Sequence, residues 1–168
     1  MASLERTAYP QFLSYYSPSD LRQFFTLQDE EINWLKSAGR SAGTRLGLAV
    51  LLKVFQHLRY FPSLDKIPSE VITHVRNGLG FGDAIRIEYP VERTLFRHKA
   101  MVLGLLNVKP FHGHDAMRQA ERFACDAAEL MDQRADIING IIEGVLQARY
   151  ELPAFSTLDD LAEKAHAA

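Results

Sequence analysis

The chain is poor in the residues that would suggest secretion or membrane insertion. It has a single cysteine, Cys125, so it cannot form an internal disulfide. Its longest apolar run, residues 46–52, is stopped by Lys53 far short of the roughly 20 residues that span a bilayer. The N-terminus lacks the continuous apolar stretch of a secretory signal. These absences predict a cytoplasmic protein without a membrane segment.

Motifs of small-molecule enzymes are missing as well. The sequence has no Gly-Lys-Ser/Thr phosphate loop, no Gly-x-Ser-x-Gly elbow and no Gly-x-Gly-x-x-Gly fingerprint. His112, His114 and Asp115 lie close together, but no second His or Cys cluster completes a metal site. A loop ahead of a helix capped by Asp115 explains the same residues. We therefore expect no metal, no cofactor and no small-molecule substrate, and a metal-dependent enzyme is the least supported alternative.

Two further groups of residues are interpreted as core. Cys125 lies between Phe123 and Leu130, so burial is favoured over a nucleophilic role. A cluster of aromatic residues near the N-terminus could stack on bases, but it is more simply explained by packing. The residues of that cluster are Phe12, Tyr15, Tyr16, Phe24, Phe25 and Trp34.

Strand signals are scarce, whereas helix signals recur along the chain. Alternating apolar and polar runs joined by Asn-Gly or Asp-Gly hairpin turns are absent. Ser17 or Ser19 can cap a short helix, and Thr26 opens a second helix that ends at Gly39. A long helix then follows the loop "AGRSAG" and ends at Pro62. With 47% hydrophobic residues to form a core, the sequence predicts an all-α protein.

The second half continues the helical pattern. The stretch "VERTLFRHKAMVLGLLNV" predicts one helix, residues 114–150 predict one long helix or two, and "STLDDLAEKAHAA" predicts a capped terminal helix. The N-terminal order of short helix, helix, glycine loop and long helix is compatible with a helix-turn-helix-like arrangement. We place a soft boundary near Gly82, which gives helical subdomains of residues 1–82 and 83–168 that could also pack as one unit.

Carboxylates are missing from the middle of the N-terminal half. Residues 32–64 hold five Lys and Arg and no Asp or Glu, although the whole chain has a formal net charge of -2. Residues 1–122 have 16 Lys and Arg against 12 Asp and Glu, and residues 123–168 have three against nine. Positive charge is thus concentrated early in the chain and negative charge late.

The long helix predicted from residue 45 onwards combines an apolar face with a basic arc. At about 100° per residue, the apolar side chains cover one broad face. The opposite arc holds Arg45, Lys53, Gln56, Arg59 and Tyr60. Such an arc can bind phosphates and base edges of DNA. The charge pattern alone favours the alternative that this arc is the solvated side of an amphipathic helix.

A second basic cluster lies in "RTLFRHKA". Arg93 and Arg97, followed directly by His98 and Lys99, occupy neighbouring positions on one predicted helix. These cations could contact phosphates, or they could pair with Glu88 and Glu92. The sequence leaves these two alternatives open.

Five segments, in order, resemble the N-terminal region of the large replicative transposases of the Tn-three family. They are "SDLRQFFTLQDEE", "RLGLAVLLKVFQHLRYFP", "IPSEVITHVRNGLG", "RTLFRHKAMVLGLLNVKPF" and "ELPAFSTLDDLAEKA", so the resemblance runs from about Ser17 to the C-terminal end. It implies a helical DNA-binding region that helps to recognise the terminal inverted repeats of a mobile element. Family transposases carry their catalytic carboxylates in a later metal-binding domain, which nothing in this chain resembles.

The sequence thus predicts a non-catalytic module of a transposase that binds double-stranded DNA at transposon ends. Residues 1–82 would form the DNA-binding subdomain, and the protein would associate with the nucleoid when bound. The alternative is a helical assembly domain that contacts a second copy or other transposase domains and has no DNA affinity of its own. The predicted DNA contacts are Lys36, Arg40, Arg45, Lys53, Arg59, Arg93, Arg97 and Lys99.

Overall fold

The computed structural model of the chain describes residues 3–38 and 40–168, and all regular secondary structure in this part is helical. Two 3-10 turns occur at Leu4–Arg6 and Leu64–Lys66, and Lys109 and Tyr150 form one isolated β-bridge. The prediction of an all-α fold is confirmed. The α-helices are α1 (Pro18–Phe25), α2 (Asp29–Ala38), α3 (Ala42–Leu58), α4 (Ser69–Gly78), α5 (Glu92–Leu106), α6 (Gly113–Leu130), α7 (Arg134–Gln147) and α8 (Phe155–Ala167).

The helices belong to two compact units. The five-helix unit comprises residues 11–105 and contains α1 to α4 and nearly all of α5. The three-helix unit comprises residues 3–10 and 106–168 and contains α6 to α8. The boundary expected near Gly82 from the sequence falls within the five-helix unit in this division. The assignment of DNA binding to residues 1–82 stays a prediction, as does the helix-turn-helix-like arrangement.

Helix starts in the five-helix unit follow the capping residues of the sequence. Ser17 and Asp20 form a capping box with two 3.1 Å hydrogen bonds, which confirms the cap predicted for α1. In α2 the Glu31 carboxylate accepts a 2.7 Å hydrogen bond from the backbone N–H of Gln28, so the helix begins at Asp29 and not at Thr26. The predicted end of α2 at Gly39 lies outside the described residues.

The long helix α3 forms the centre of the five-helix unit. It contacts α1, α2 and α4, and all its residues from Leu46 to Phe55 are buried. A helix with neighbours on several sides must be apolar around most of its circumference, which explains the long apolar run. The helix ends at Leu58, ahead of the predicted stop at Pro62, because Arg59 adopts a left-handed conformation with a φ of 68°.

Small residues set the helix spacing in the three-helix unit, where α6, α7 and α8 contact one another. Ala116, Ala120, Ala124 and Ala127 form a buried stripe along α6. On α7, a Cβ added to Gly144 would lie 2.6 Å from the Phe123 ring, so glycine allows α6 and α7 to approach closely. The sequence left one long helix or two open here, and the structure has two.

Residues 3–10 belong to the three-helix unit through contacts with its later elements. The backbone N–H of Ala8 donates to Asn139 on α7 over 2.7 Å. The hydroxyl of Tyr9 donates to the Pro153 carbonyl over 2.8 Å, immediately before α8. Of the helices in residues 3–38 and 40–168, none combines the length and the apolar character required to cross a membrane.

Candidate nucleic-acid interface

Lys53 departs most clearly from the predicted basic arc of α3. The arc predicts a solvent-facing side chain, but Lys53 is only 6% exposed. Its ammonium lies 3.1 Å from Oε1 of Glu31 on α2, and Gln56 donates a 2.8 Å hydrogen bond to the other carboxylate oxygen. The expectation of an exposed lysine is therefore wrong, because an acid on a neighbouring helix covers it.

The Glu31 carboxylate joins the start of α2 to the middle of α3. Burial alone would raise its pKa, but hydrogen bonds from the Gln28 backbone, Gln56 and Lys53, together with the Lys53 charge, hold the pKa below its usual value. The carboxylate is thus ionised at neutral pH and compensates the lysine charge. This group of residues has the features of an internal structural ion pair.

Arg45 and Arg59, at the two ends of the predicted arc, are both half-buried. The Nε atom of each side chain is inaccessible to solvent. A half-buried arginine presents less of its guanidinium to an outside ligand than an exposed one. Helix α3 therefore offers less positive surface than its sequence predicts.

Lys36 and Arg40 are exposed, as their predicted role requires. Lys36 lies in the last turn of α2, where a cation also favours the helix dipole. Arg40 immediately precedes Ser41, whose side chain caps α3. Within the described part of the chain, neither residue forms an ion pair. Both are free to contact a polyanion.

Helix α5 carries two more exposed cations of the predicted set. Arg93 and Arg97 are exposed and lie one turn apart. The sequence left open whether they pair with Glu88 and Glu92, and no such ion pair forms among residues 3–38 and 40–168. Their charge is therefore directed to solvent and not to neighbouring carboxylates.

The orientation of α5 is fixed by a buried hydrogen bond on its other side. His98 is 1% exposed, and its Nδ1 lies 2.6 Å from the hydroxyl of Tyr89. Burial lowers the pKa of His98, with a smaller contribution from the Arg97 charge, and burial raises the pKa of Tyr89. Both groups are thus neutral at pH 7. Because His98 is buried, the opposite side of α5 faces outward.

Tyr89 also connects α5 to α3 through a glycine. A Cβ built on Gly47 would lie 2.5 Å from the Tyr89 ring, and one on Gly43 would lie 3.0 Å from the Arg86 carbonyl oxygen. The Gly43-x-x-x-Gly47 spacing therefore lets the segment before α5 lie directly on α3. This contact explains why glycines occur in the most apolar helix of the chain, and it brings the exposed Arg86 near the start of α3.

Lys99, the last of the predicted contacts, is half-buried beside two aromatic rings. Its ammonium lies 5.9 Å from the centroid of Phe61 and 5.8 Å from that of Phe96. Both distances are within the range of a cation–π interaction. The rings hold the ammonium next to the exposed arginines of α5.

The charge asymmetry seen along the sequence corresponds to the two units. Residues 11–105 contain 12 Lys and Arg against nine Asp and Glu, and the remaining residues contain seven against 12. The five-helix unit therefore has a formal charge of +3 and the three-helix unit one of -5. The exposed cations among the predicted DNA contacts lie in the unit whose net charge suits an anionic ligand.

Sequence reasoning did not single out Arg86 or Phe96. Arg86 lies in a segment without helical period, so no pattern connected it to α3. Phe96 is 61% exposed, although an aromatic residue in a periodic helix is usually assigned to the core. Its position between Arg93 and Arg97 was the available signal.

The other clusters of the sequence give no competing site. The described residues contain no group of His, Cys, Asp and Glu that could hold a metal ion. The N-cap of α6 is His112 and not Asp115, which corrects the predicted cap. Cys125 is exposed and not a core residue, because α6 packs through its alanine stripe.

Four of the N-terminal aromatic residues pack around His57, whereas Trp34 is half-buried on α2. Tyr16 and Phe25 are buried, and the Tyr16 hydroxyl lies 2.9 Å from His57 Nε2. Phe12 and Phe24 also contact the imidazole ring. Tyr15 is 70% exposed, so the core interpretation is wrong for it.

Fold and site together define an all-α protein with an exposed cationic surface on α5. Residues 1–165 match the family described as Domain of unknown function (DUF4158), and the chain belongs to this family. The family occurs in transposase-associated proteins. Comparison with curated proteins finds no match. The more specific resemblance to the N-terminal region of Tn-three transposases stays a prediction.

Proposed function

We propose that this chain is a non-catalytic, double-stranded-DNA-binding module of a transposase that recognises the terminal inverted repeats of a mobile element. The observation that carries the proposal is the pair Arg93 and Arg97, which are exposed on α5 without carboxylate partners among the described residues. Membership of a family found in transposase-associated proteins adds support.

In this proposal, phosphate contacts position the module and a few base contacts select the sequence. Arg93, Arg97 and Lys99 supply the main cationic surface, and Lys36 and Arg40 supply further phosphate contacts. Arg45 and Arg59 have a smaller share because they are half-buried. Lys53 has a structural role, since it is buried against Glu31. Strand cleavage belongs to another part of the transposase, and the complex acts at the nucleoid.

The proposal is tested by titrating the chain against a fluorescent duplex that carries a terminal inverted repeat, and against a scrambled duplex of the same composition. Both titrations are repeated at several salt concentrations, because phosphate contacts release counterions. We expect tighter, competitor-resistant binding to the repeat, with an affinity that falls as salt rises. Equal affinity for both duplexes would contradict recognition of the repeat, and no binding to either would contradict DNA binding altogether.

A second candidate function is a helical assembly domain without DNA affinity. It is favoured by two exposed apolar residues beyond the end of the α6 core stripe, Leu130 at 84% exposure and Met131 at 38%. Exposed acids, Asp126, Glu129 and Asp132, surround them in the negatively charged three-helix unit. Self-association that persists at high salt, together with absence of DNA binding, would favour this function. Sedimentation at several salt concentrations measures it.

A further inference from the structure

Phe96 stands out on the exposed face of α5. Helical spacing places it with Arg93, Arg97, Ala100 and Gly104, and all five residues are exposed. Phe96 is 61% exposed, and the ammonium of Lys99 lies 5.8 Å from the centroid of its ring. A single exposed apolar side chain is common on protein surfaces, so what marks Phe96 is its position among cationic residues.

Three cationic residues lie close to Phe96 along α5. Arg93 lies one turn before Phe96, Arg97 is the next residue, and the Lys99 ammonium is held between Phe96 and Phe61. One carboxylate, that of Glu92, is exposed on the same turn. The neighbouring positions of α5 thus carry three cations and one anion. A polyanionic partner satisfies this charge pattern better than a neutral one.

The ring cannot simply turn into the protein. The opposite side of α5 is occupied by His98 and Val102, which are buried, and the His98 bond to Tyr89 fixes the rotation of the helix. Leu103, two turns beyond Phe96 on nearly the same face, is also buried, so the open part of this face lies towards Arg97, Ala100 and Gly104. Beyond Phe96 on the same face, Ala100 is small, and a Cβ added at Gly104 would have nothing within 4 Å. A ligand surface can therefore approach α5 closely while the ring projects into it.

We infer that Phe96 is an apolar wedge that inserts between two base pairs of duplex DNA, while Arg93, Arg97 and Lys99 hold the flanking phosphates. The inference rests on the proposed DNA-binding function and adds to it a distorted, unstacked base step as the preferred substrate. An inserted apolar side chain unstacks the step and bends the duplex by an angle on the order of tens of degrees. The unstacking cost depends on the base pairs at the step, so the wedge contributes to sequence selection.

A wedge fits the arrangement better than a platform for single-stranded DNA. Platforms of that kind stack successive bases on several aromatic side chains. Helix α5 carries one Phe, Tyr or Trp residue, and that residue is Phe96. A lone ring flanked by cations matches insertion at a single step of a duplex.

Two variants separate the wedge from a general apolar contact. Phe96→Ala removes the exposed ring and has little effect on the core, and circular dichroism verifies its folding. Leu105→Ala is the matched control, because Leu105 is a 44% exposed apolar residue near the other end of the same helix. Both variants and the wild-type chain are titrated against the fully paired inverted-repeat duplex and against duplexes with one mismatched base pair at each position in turn. Energy transfer between dyes on the two duplex ends reports bending.

We expect the wild-type chain to bend the duplex and to bind most tightly when the mismatch lies at the inserted step. Phe96→Ala should weaken binding about 5-fold to 150-fold, the range for loss of one base–aromatic contact, and should abolish both bending and the preference for the mismatch. Leu105→Ala should bind and bend like the wild type.

Different outcomes overturn different claims. If the wild type binds the paired duplex and Phe96→Ala binds and bends it equally well, the wedge is refuted and the proposed function stands. If the wild type binds no duplex, both are refuted. If instead Phe96→Ala lowers only self-association in sedimentation experiments, the ring belongs to a protein interface and the wedge is again refuted.

Discussion

The role of Lys53 gives the sharpest test of the structural reasoning. The substitution Lys53→Met removes the ammonium and keeps an unbranched apolar stem in its place. In the wild type, the ammonium lies 3.1 Å from Glu31, and the two side chains are 8% and 13% exposed. The variant therefore leaves a nearly buried carboxylate without its cation, and we expect the five-helix unit to lose stability.

The size of the loss follows from the remaining partners of Glu31. Removing one member of a buried ion pair costs about 3–5 kcal/mol. Glu31 keeps its hydrogen bonds from Gln28 and Gln56 and a small exposed fraction. We therefore expect a loss somewhat below that range, about 2–3 kcal/mol in the free energy of unfolding. The variant should still bind DNA at temperatures where it is folded.

The assay uses Trp34, the single tryptophan of the chain, which lies on α2 three residues from Glu31. Urea unfolding followed by its fluorescence reports on the helix that contains the carboxylate. Glu31→Gln and the double variant complete a double-mutant cycle, in which we expect a coupling energy of about 1–2 kcal/mol. Two results together would refute the buried pair. They are a change in the unfolding free energy of Lys53→Met below about 0.5 kcal/mol, which is typical of a surface substitution, and weaker DNA binding by the same variant.

Three further predictions concern other parts of the chain. Gly47→Ala should destabilise the five-helix unit by about 1–3 kcal/mol, because its methyl group would lie 2.5 Å from the Tyr89 ring. The control is Gly104→Ala, whose methyl group would meet no atom within 4 Å. Equal urea unfolding curves for the two variants would contradict the close contact. Because the folded-state pKa of Glu31 lies below the unfolded value of 4.5, the stability that it contributes is present above about pH 4.5 and is lost as pH falls through the folded pKa. Glu31→Gln should show a smaller acid-induced loss, and an unchanged pH profile would contradict this. The exposed Cys125 should react with a thiol reagent in the native chain as fast as in the urea-unfolded chain. A much slower reaction in the native chain would place the thiol in the core.

The helical architecture could largely be predicted from the sequence because its signals are local. The Ser17 cap and the helical period after Pro90 depend only on neighbouring residues. The end of α3 was less predictable, since Arg59 stops the helix through a left-handed conformation that the sequence does not signal.

The candidate site could be predicted only in part, because its electrostatics depend on contacts between helices. The period of α3 placed Lys53 opposite the apolar face, but that period contains no information about Glu31 on α2. The same limitation left the pairing of Arg93 and Arg97 open, since sequence spacing allows ion pairs that the structure does not form. The contact between Gly47 and Tyr89 joins residues far apart in sequence and has no local signal at all.

The central claim is that the exposed arginines of α5 bind DNA phosphates. It is tested most directly by the salt dependence of binding to the inverted-repeat duplex, for the wild type and for the Arg93→Ala, Arg97→Ala double variant. The control is Arg118→Ala with Arg122→Ala, an equal charge change at exposed positions one turn apart on α6. We predict that the α5 variant lowers the slope of log affinity against log salt by about 1.8, since each lost phosphate contact contributes about 0.9. The control should retain the wild-type slope, and equal slopes for all three proteins, each verified as folded, would contradict the account.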